Sequence, residues 1–510
     1  MSNNFKKVAV LGAGVMGAQI SGHLANAGIP SFLFDINKEL SENGKKTLTT
    51  LKPAPLYQKK NVELVSPCNY DDDLEKIKEV DLIIEAVAER LDIKEKVYKK
   101  VIPFLKNSAI LTSNTSGIPL SDLCRSLPEN LRKRFMITHF FNPPRYMQLL
   151  ELVRGDNTSN EVYEMIAEFG ETVLGKGIVH AKDTPNFIGN RIGIFGMMTA
   201  INLAESHRLT IEEVDKLTGT ISGRPKSATF RTADVVGLDT LKSVSLTTYE
   251  KATEDEEREI FKIPKILENL IASHRLGQKS GAGFYIKNED RSIHSADLET
   301  GEYSPLTSVR FDCFRTAKDR QRLEKKIAAL CYGDDRGSKF FWELISRTLI
   351  YSANRIPEIS DDIINIDNAL KWGFAWEAGP FETWDAIGVQ RSTTRMLQEG
   401  KKVPKWITQM LESGRKSFYS TKNGIKTYWC PNKNKAVRML ENPRVFNLAL
   451  HKSANHTLKR DLSASVIDIG DNVINVEFHS ILQPRLNPID SSYIEMINYA
   501  LDLIDQGKYK

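Results

Sequence analysis

His139, in the run THFFNPP, and Glu151, in QLLELVRG, each fall where an apolar run of strand character ends. Histidine, with an ordinary pKa near 6.5, accepts an alcohol proton at neutral pH. A carboxylate beside it fixes the tautomer and favours the imidazolium that forms. Ser116 in SNTSG and Asn190 in DTPNFIGNRIG would add hydrogen bonds to a substrate oxygen and to the surroundings of the histidine. Taken singly, each has an ordinary explanation, because Ser and Asn often end strands and a lone histidine is commonly a satisfied core residue. As a set they fit the oxidation of an alcohol, in which a base takes the proton as hydride departs.

A hydride needs an acceptor, and Gly12, Gly14 and Gly17 form G-x-G-x-x-G between the apolar run KKVAVL and the helical pattern GAQISGHLANAG, which Gly28 can close with a left-handed residue. Gly12 permits the tight turn, Gly14 lets the backbone approach a pyrophosphate, and Gly17 brings helix against strand, with the helix N-terminus facing the negative charge. Asp35 ends the next strand, SFLFD, where it can accept from both ribose hydroxyls and repel a 2′-phosphate. Ile36 and Asn37 supply no Arg to receive one, so the expected cofactor is NAD rather than NADP.

The elements that must position these groups follow from the periodicity. Up to about residue 183, short β-branched runs (KKVAVLG, PSFLFD, VDLIIEAV, SAILTSN, RFMITHFF and LLELVRG) alternate with helical stretches, the pattern of a doubly wound, mostly parallel α/β sheet. Ligands of such sheets bind beyond the carboxyl ends of the strands, where Ser116, His139 and Glu151 fall. After Asp183 the periodicity turns helical. Two stretches echo each other there: DKLTGTISGRPKSATFRTADVVGLDT from Asp215 and DNALKWGFAWEAGPFETWDAIGVQ from Asp367. Each opens with Asp in a helix, passes a Gly/Pro turn and ends in Asp-x-x-Gly, which predicts a duplicated helical unit. The expected domains are 1–183, a first helical domain over 184–290, a polar linker with room for a helix over 291–335, and a second helical domain over 336–440. From 460 to 510, SASVIDIGDNVINVEFHS alternates like paired strands and precedes one amphipathic stretch, too few parts to bury a core alone.

LGAGVMG, EAVAERLDIK, SNTSG, HFFNPP and KDTPNFIGNR, in that order, resemble the 3-hydroxyacyl-CoA dehydrogenase family. The resemblance implies a Rossmann-type domain followed by all-α C-terminal domains of the 6-phosphogluconate-dehydrogenase-like kind, here duplicated. It implies NAD-dependent oxidation of L-3-hydroxyacyl-CoA in fatty-acid β-oxidation, with His139 as general base, Glu151 as its partner, and Ser116 and Asn190 on the substrate side. Cofactor contacts are implied at Gly12, Gly14, Val15, Met16, Gly17, Asp35, Glu89, Lys94, Ser116, Asn142 and, in QKSGAGFY, Lys279. The closing segment is similar to the opening strands of the crotonase-like enoyl-CoA hydratase fold and stops before the stretches that would carry its oxyanion hole, so no hydratase activity is expected and a separate hydratase or thiolase subunit becomes a candidate partner. GRPKSATF stands where single-unit members have G-P-F-E, and the segment from Asp35 to Val65 is shorter than the family's arm toward CoA. Two other readings stay open: a non-catalytic subunit of a split multifunctional protein, and a dehydrogenase of a 3-hydroxy acid that is not a CoA ester.

The bulk properties set bounds. With 41% hydrophobic and 26% charged residues, and no apolar run approaching the roughly 18 needed to span a bilayer, no integral membrane segment is expected. A net charge of +5, with both signs interspersed, offers no stripe for nucleic acid. Five scattered cysteines and a start that passes straight into a strand suggest a reducing, cytoplasmic setting, without disulfides or a metal site.

Overall fold

The computed structural model describes residues 5–440, 442, 444–483 and 486–510. The chain divides into two compact units, Met1–Lys405 and Trp406–Lys510.

The first unit opens with an eight-stranded sheet of β1 (Val8–Leu11), β2 (Ser31–Asp35), β3 (Val65–Asn69), β4 (Leu82–Glu85), β5 (Ile110–Ser113), β6 (Phe135–Phe140), β7 (Leu149–Val153) and β8 (Gly177–Ala181). Their order is β3-β2-β1-β4-β5-β6-β7-β8, and every neighbouring pair is parallel except β6 with β7. Strand residues alternate between two cores. Val8, Val10, Ile84 and Leu152 pack with Ile20 and Leu24 of helix Val15–Asn26 and with Ile166 and Phe169 of helix Asn160–Thr172. Ala9, Leu11, Ile83 and Val153 face Val97, Tyr98 and Val101 of helix Leu91–Val101. The doubly wound expectation is met by six of these strands. The two edge strands were not foreseen: β3 reads VSPCN, whose Pro67 is tolerated only at an edge, and β8, GIVHA, is short.

The echo in the second half is a structural duplication. In the first repeat, helix Ile211–Leu217 carries Asp215, whose carboxylate accepts from the backbone amides of Thr229, Phe230 and Arg231 at 3.1, 2.7 and 3.2 Å, the entry to helix Phe230–Val236. In the second, Asp367 of helix Ile363–Gly373 accepts from Phe381 and Glu382 at 2.8 and 3.2 Å, in the first turn of helix Pro380–Ile387. Both carboxyl groups thus sit on helix N-termini; burial raises the pKa of Asp215 to about 7, against the smaller lowering that these amides exert. The Asp-x-x-Gly ends turn through Gly237 and Gly388, at φ +98° and +83°, into helices Leu238–Lys251 and Val389–Gln398. Long helices Gly189–Ser206 and Arg336–Asn354 open the two repeats.

Two boundaries differ from those expected. The stretch 291–335 holds strands Ile293–Ala296 and Tyr303–Pro305, paired as a small antiparallel sheet with Tyr285–Lys287, and helices Asp312–Lys318 and Leu323–Cys331. The second of these helices buries Ile327, Leu330 and Cys331. Strands this short give too little alternation to be read through a polar sequence. The second helical part closes near Lys405 rather than 440, because Tyr419–Lys422, Ile425–Cys430 and Lys435–Arg438 form an antiparallel sheet inside the second unit.

That second unit also contains the paired runs Ala464–Gly470 and Val473–Phe478, joined by a third strand, Thr457–Arg460, absent from the sequence reading. Ala464 and Val466 pack with Tyr493, Met496 and Ala500 of helix Ser491–Asp505, so the segment has a small core of its own. Among the described residues, no helix is long and apolar enough to cross a membrane.

Candidate active site

The one antiparallel pair in the sheet places His139 directly opposite Glu151. Nδ1 of His139 lies 2.7 Å from Oε2 of Glu151, and both residues are buried, at 6% and 0% exposure. The other carboxylate oxygen, Oε1, accepts from the backbone amides of Ile188 and Gly189 at 3.1 and 2.7 Å, at the entry to helix Gly189–Ser206. A buried carboxyl group needs hydrogen-bond partners, and here a helix N-terminus and an imidazole supply them. With Nδ1 as the donor to Glu151, Nε2 keeps its lone pair and is the nitrogen that can accept a proton. Phe141 and Phe187 wall the imidazole, with ring centroids 4.7 and 5.6 Å away. Asn190, half-buried, follows Gly189 in the helix that holds Glu151.

Ser116 is positioned from below by Glu89. Oε1 of Glu89 accepts from the backbone amides of Ser116 and Gly117 at 2.8 and 3.0 Å and from the hydroxyl of Thr115 at 2.5 Å. Burial alone would push this carboxyl up, but Lys94, 3.3 Å away, and these donors hold it below the usual glutamate range. Lys94 is itself buried, with Nζ 2.7 Å from Glu85 at the end of β4. Glu85 also accepts from Tyr98 and Ser113 at 2.9 and 2.6 Å. Of the expected cofactor contacts, Glu89 and Lys94 therefore brace the SNTSG loop.

The glycine loop shows a division of labour among its glycines. Gly12 has φ +101°, and a Cβ there would press on the backbone of Ala86 at 2.7 Å. A Cβ at Gly17 would collide with the carbonyl oxygen of Gly12, so helix and strand approach at that point without a side chain between them. At Gly14 a Cβ would meet no protein atom within 4 Å, so the absence of a side chain there serves no contact inside the protein. Val15 and Met16 begin the helix on the same loop, Val15 exposed and Met16 half-buried. Asp35 binds this loop from β2: one carboxylate oxygen accepts from Ala13 at 2.7 Å and the other from Ile36 at 2.7 Å. Asn142 accepts from Gln19 of the same helix at 3.0 Å. These features fit a dinucleotide whose pyrophosphate lies against Gly14 and whose ribose reaches Asp35.

Lys279 lies apart from this cluster. It pairs with Asp239 at 2.5 Å, at the start of helix Leu238–Lys251, whose far end, roughly 18 Å along the axis by the helical rise, donates from Lys251 to the Gly117 carbonyl.

Sequence reasoning missed several residues that shape the site. Glu85 was legible in principle as an acid closing the apolar run LIIE, whereas its partners Tyr98 and Ser113 are joined to it only by the fold. Arg145, just past HFFNPP, donates to the carbonyls of Ala54 and Leu56 at 2.6 and 2.8 Å and stacks over Tyr57, tying the segment after helix Lys38–Thr50 to the catalytic loop. Lys176, buried and without an ion pair among the described residues, donates to the carbonyls of Pro144 and Met147 in that same loop.

Residues 7–184 match the family model described as 3-hydroxyacyl-CoA dehydrogenase, NAD binding domain, and residues 187–287 match the 3-hydroxyacyl-CoA dehydrogenase C-terminal domain. A probable 3-hydroxyacyl-CoA dehydrogenase of Bacillus subtilis is 41% identical over 98% of this chain, which spans 65% of that relative's length. A protein of the same description from Deinococcus radiodurans is 43% identical over 56% of this chain and 84% of its own. The crystal structure of 3-hydroxybutyryl-CoA dehydrogenase from Escherichia coli superposes with a TM-score of 0.59 over 81% of this chain and 99% of the other, at 21% identity, a likeness of fold. With this sheet, this glycine loop and these matches together, the chain belongs to the 3-hydroxyacyl-CoA dehydrogenase family.

Proposed function

We propose that the chain oxidises the hydroxyl of an L-3-hydroxyacyl-CoA to the 3-oxo ester, with NAD as acceptor, as a step of fatty-acid β-oxidation in the cytoplasm. The observation that carries this reading is the buried His139–Glu151 pair, in which Nδ1 faces the carboxylate and Nε2 is the nitrogen that can accept a proton, near the carboxyl end of β6. NAD, when bound, supplies the hydride acceptor. His139 takes the hydroxyl proton on Nε2 while Glu151 stabilises the imidazolium, and the Ile188 and Gly189 amides hold Glu151 in place. Ser116 and Asn190 donate to the substrate oxygen as it becomes a carbonyl. Asp35 accepts from the ribose hydroxyls and disfavours a 2′-phosphate, and Gly14 admits the pyrophosphate.

The acyl-CoA substrate is supported by the description of the Bacillus relative. The deciding experiment is turnover of acetoacetyl-CoA with NADH by the wild-type chain and by His139→Gln. The variant is expected to bind NADH normally and to lose on the order of 10²–10⁴ in rate. Turnover of a folded variant within about three-fold of wild type would discard the assignment.

A further inference from the structure

The second helical repeat contributes none of the residues assigned to chemistry, yet it grips the helix whose first amides hold Glu151. Arg191 stands two positions after Gly189 and is fully buried. Its Nε donates to the hydroxyl of Tyr351 at 2.6 Å, and its Nη2 lies 2.6 Å from Asp255 and 3.1 Å from Glu358. Tyr351, on helix Arg336–Asn354 of the second repeat, in turn donates to Asp255 at 2.6 Å. Arg355, one turn further along that helix, reaches Asp255 at 3.3 Å and Glu358 at 2.8 Å. The ring of Tyr351 also lies flat on Phe195 of the gripped helix, with centroids 3.7 Å apart and planes 2° apart. On the same helix, Gly189 and Gly193 leave no room for a Cβ: one would press on Phe141, the other on Phe374 of the second repeat. Phe141 is the ring against His139.

We infer that the second repeat acts as a positioning element for the catalytic pair, with Tyr351, through Arg191 and Asp255, fixing the helix whose Ile188 and Gly189 amides hold Glu151 on His139. The inference rests on the reading of His139 as base. Its physical basis is the stiffness of a helix along its axis. A fully buried ion pair with a tyrosine hydroxyl built into it has few alternative arrangements, since each displaced member would be left an uncompensated polar group. Arg191 is less than one turn from the amides on Glu151, so a clamp at one point is a clamp at the other.

The test compares Tyr351→Phe, which keeps the ring stack and removes the hydroxyl, with Trp384→Phe, a change in the buried core of the same repeat away from the clamp. The readouts are Tm, the pH profile of kcat and kcat/KM with acetoacetyl-CoA or its 3-hydroxy counterpart, and the 15N-resolved Nδ1 proton resonance of His139, identified by its loss in His139→Gln. For Tyr351→Phe we expect kcat lowered about ten-fold with KM little changed, the pH profile of oxidation displaced from that of wild type, and the Nδ1 proton moved upfield as the carboxylate loosens. Trp384→Phe should lower Tm and leave the profile and the resonance as in wild type. Wild-type profile and resonance in Tyr351→Phe would overturn the inference, as would equal changes in both variants. If Tyr351→Phe does not fold, Asp255→Asn carries the same comparison. Should His139→Gln retain turnover, the base assignment fails, and the Nδ1 resonance still reports on whether the clamp sets the pair.

Discussion

Glu151 meets His139 from the neighbouring antiparallel strand, Oε2 2.7 Å from Nδ1, while its second oxygen is held by two amides at the start of the next long helix. The carboxylate is thereby prevented from rotating away, and the imidazole tautomer is set. Glu151→Gln keeps the shape and removes the charge. We expect turnover to fall on the order of 10²-fold or more, because a neutral amide no longer favours the imidazolium and can present the wrong atom to Nδ1. The pH profile of oxidation should differ from that of wild type, because the carboxylate partner of the imidazole is gone. A profile that coincides with wild type would contradict the pairing.

The glycine loop makes a sharper prediction, because the three glycines are required for different reasons. Gly17→Ala drives a Cβ into the Gly12 carbonyl and should lower Tm with or without cofactor. Gly14→Ala meets no protein atom, so the apo protein should melt as wild type does while NAD binding weakens. Calorimetric melting with and without NAD separates the two. Equal loss of apo stability in both variants would show that Gly14 answers to packing after all.

How much of this could be read from the sequence depends on the range of the contact. The glycine loop and Asp35 were legible because each stands at a local strand or helix ending, and His139 because it comes next to last in β6. Glu151 was expected at a strand end but stands at the centre of β7 (Leu149–Val153), where the antiparallel pairing brings it opposite His139. The duplicated repeats were legible because Asp215 and Asp367 recur in the same local pattern and do the same structural work. What was not legible is long-range. Lys94 and Glu89 were expected as cofactor contacts from a motif that resembles the family's, and nothing local says that they lock onto Glu85 and the SNTSG loop. The pairing of Arg191 with Tyr351 joins two helices far apart in the chain, and no periodicity encodes it. The edge strands β3 and β8 escaped because edge pairing tolerates Pro67 and short runs that no alternation rule detects.

Cofactor choice follows from Asp35. Its oxygens each take one backbone amide and retain lone pairs for ribose hydroxyls, and on the function proposed above its carboxylate opposes a 2′-phosphate. Asp35→Ala should weaken NAD and narrow the preference over NADP, by loss of an acceptor on one side and of a repulsion on the other. Initial rates with both cofactors measure it. An unchanged NAD to NADP ratio would remove Asp35 from the ribose site.

Lys176 offers a prediction about pH and stability. Its ammonium is buried, donates to the carbonyls of Pro144 and Met147, lies 5.6 Å from the Phe140 ring, and shares its pocket with His23, whose own pKa is lowered to about 3 by burial and by this same lysine. Burial pulls the pKa of Lys176 down from 10.5 to about 8. Below pH 8 both folded and unfolded chains carry the proton, and the folded state bears the full cost of a buried charge. Between pH 8 and 10.5 the unfolded chain holds a proton that the folded chain has released, so this residue makes stability rise with pH. Above 10.5 both are neutral and the contribution is flat. Lys176→Met removes the charge and also the two donations that shape the loop after Asn142. The variant should therefore lack the rise, so that its stability relative to wild type is most favourable near pH 7 and declines by pH 10, while NAD binding weakens at both values because the loop is freed. Denaturant melts at the two pH values, with NAD affinity measured beside them, check both halves. Parallel stability curves for the two proteins would show that Lys176 titrates like an exposed lysine, and unchanged NAD affinity would show that the loop does not depend on it.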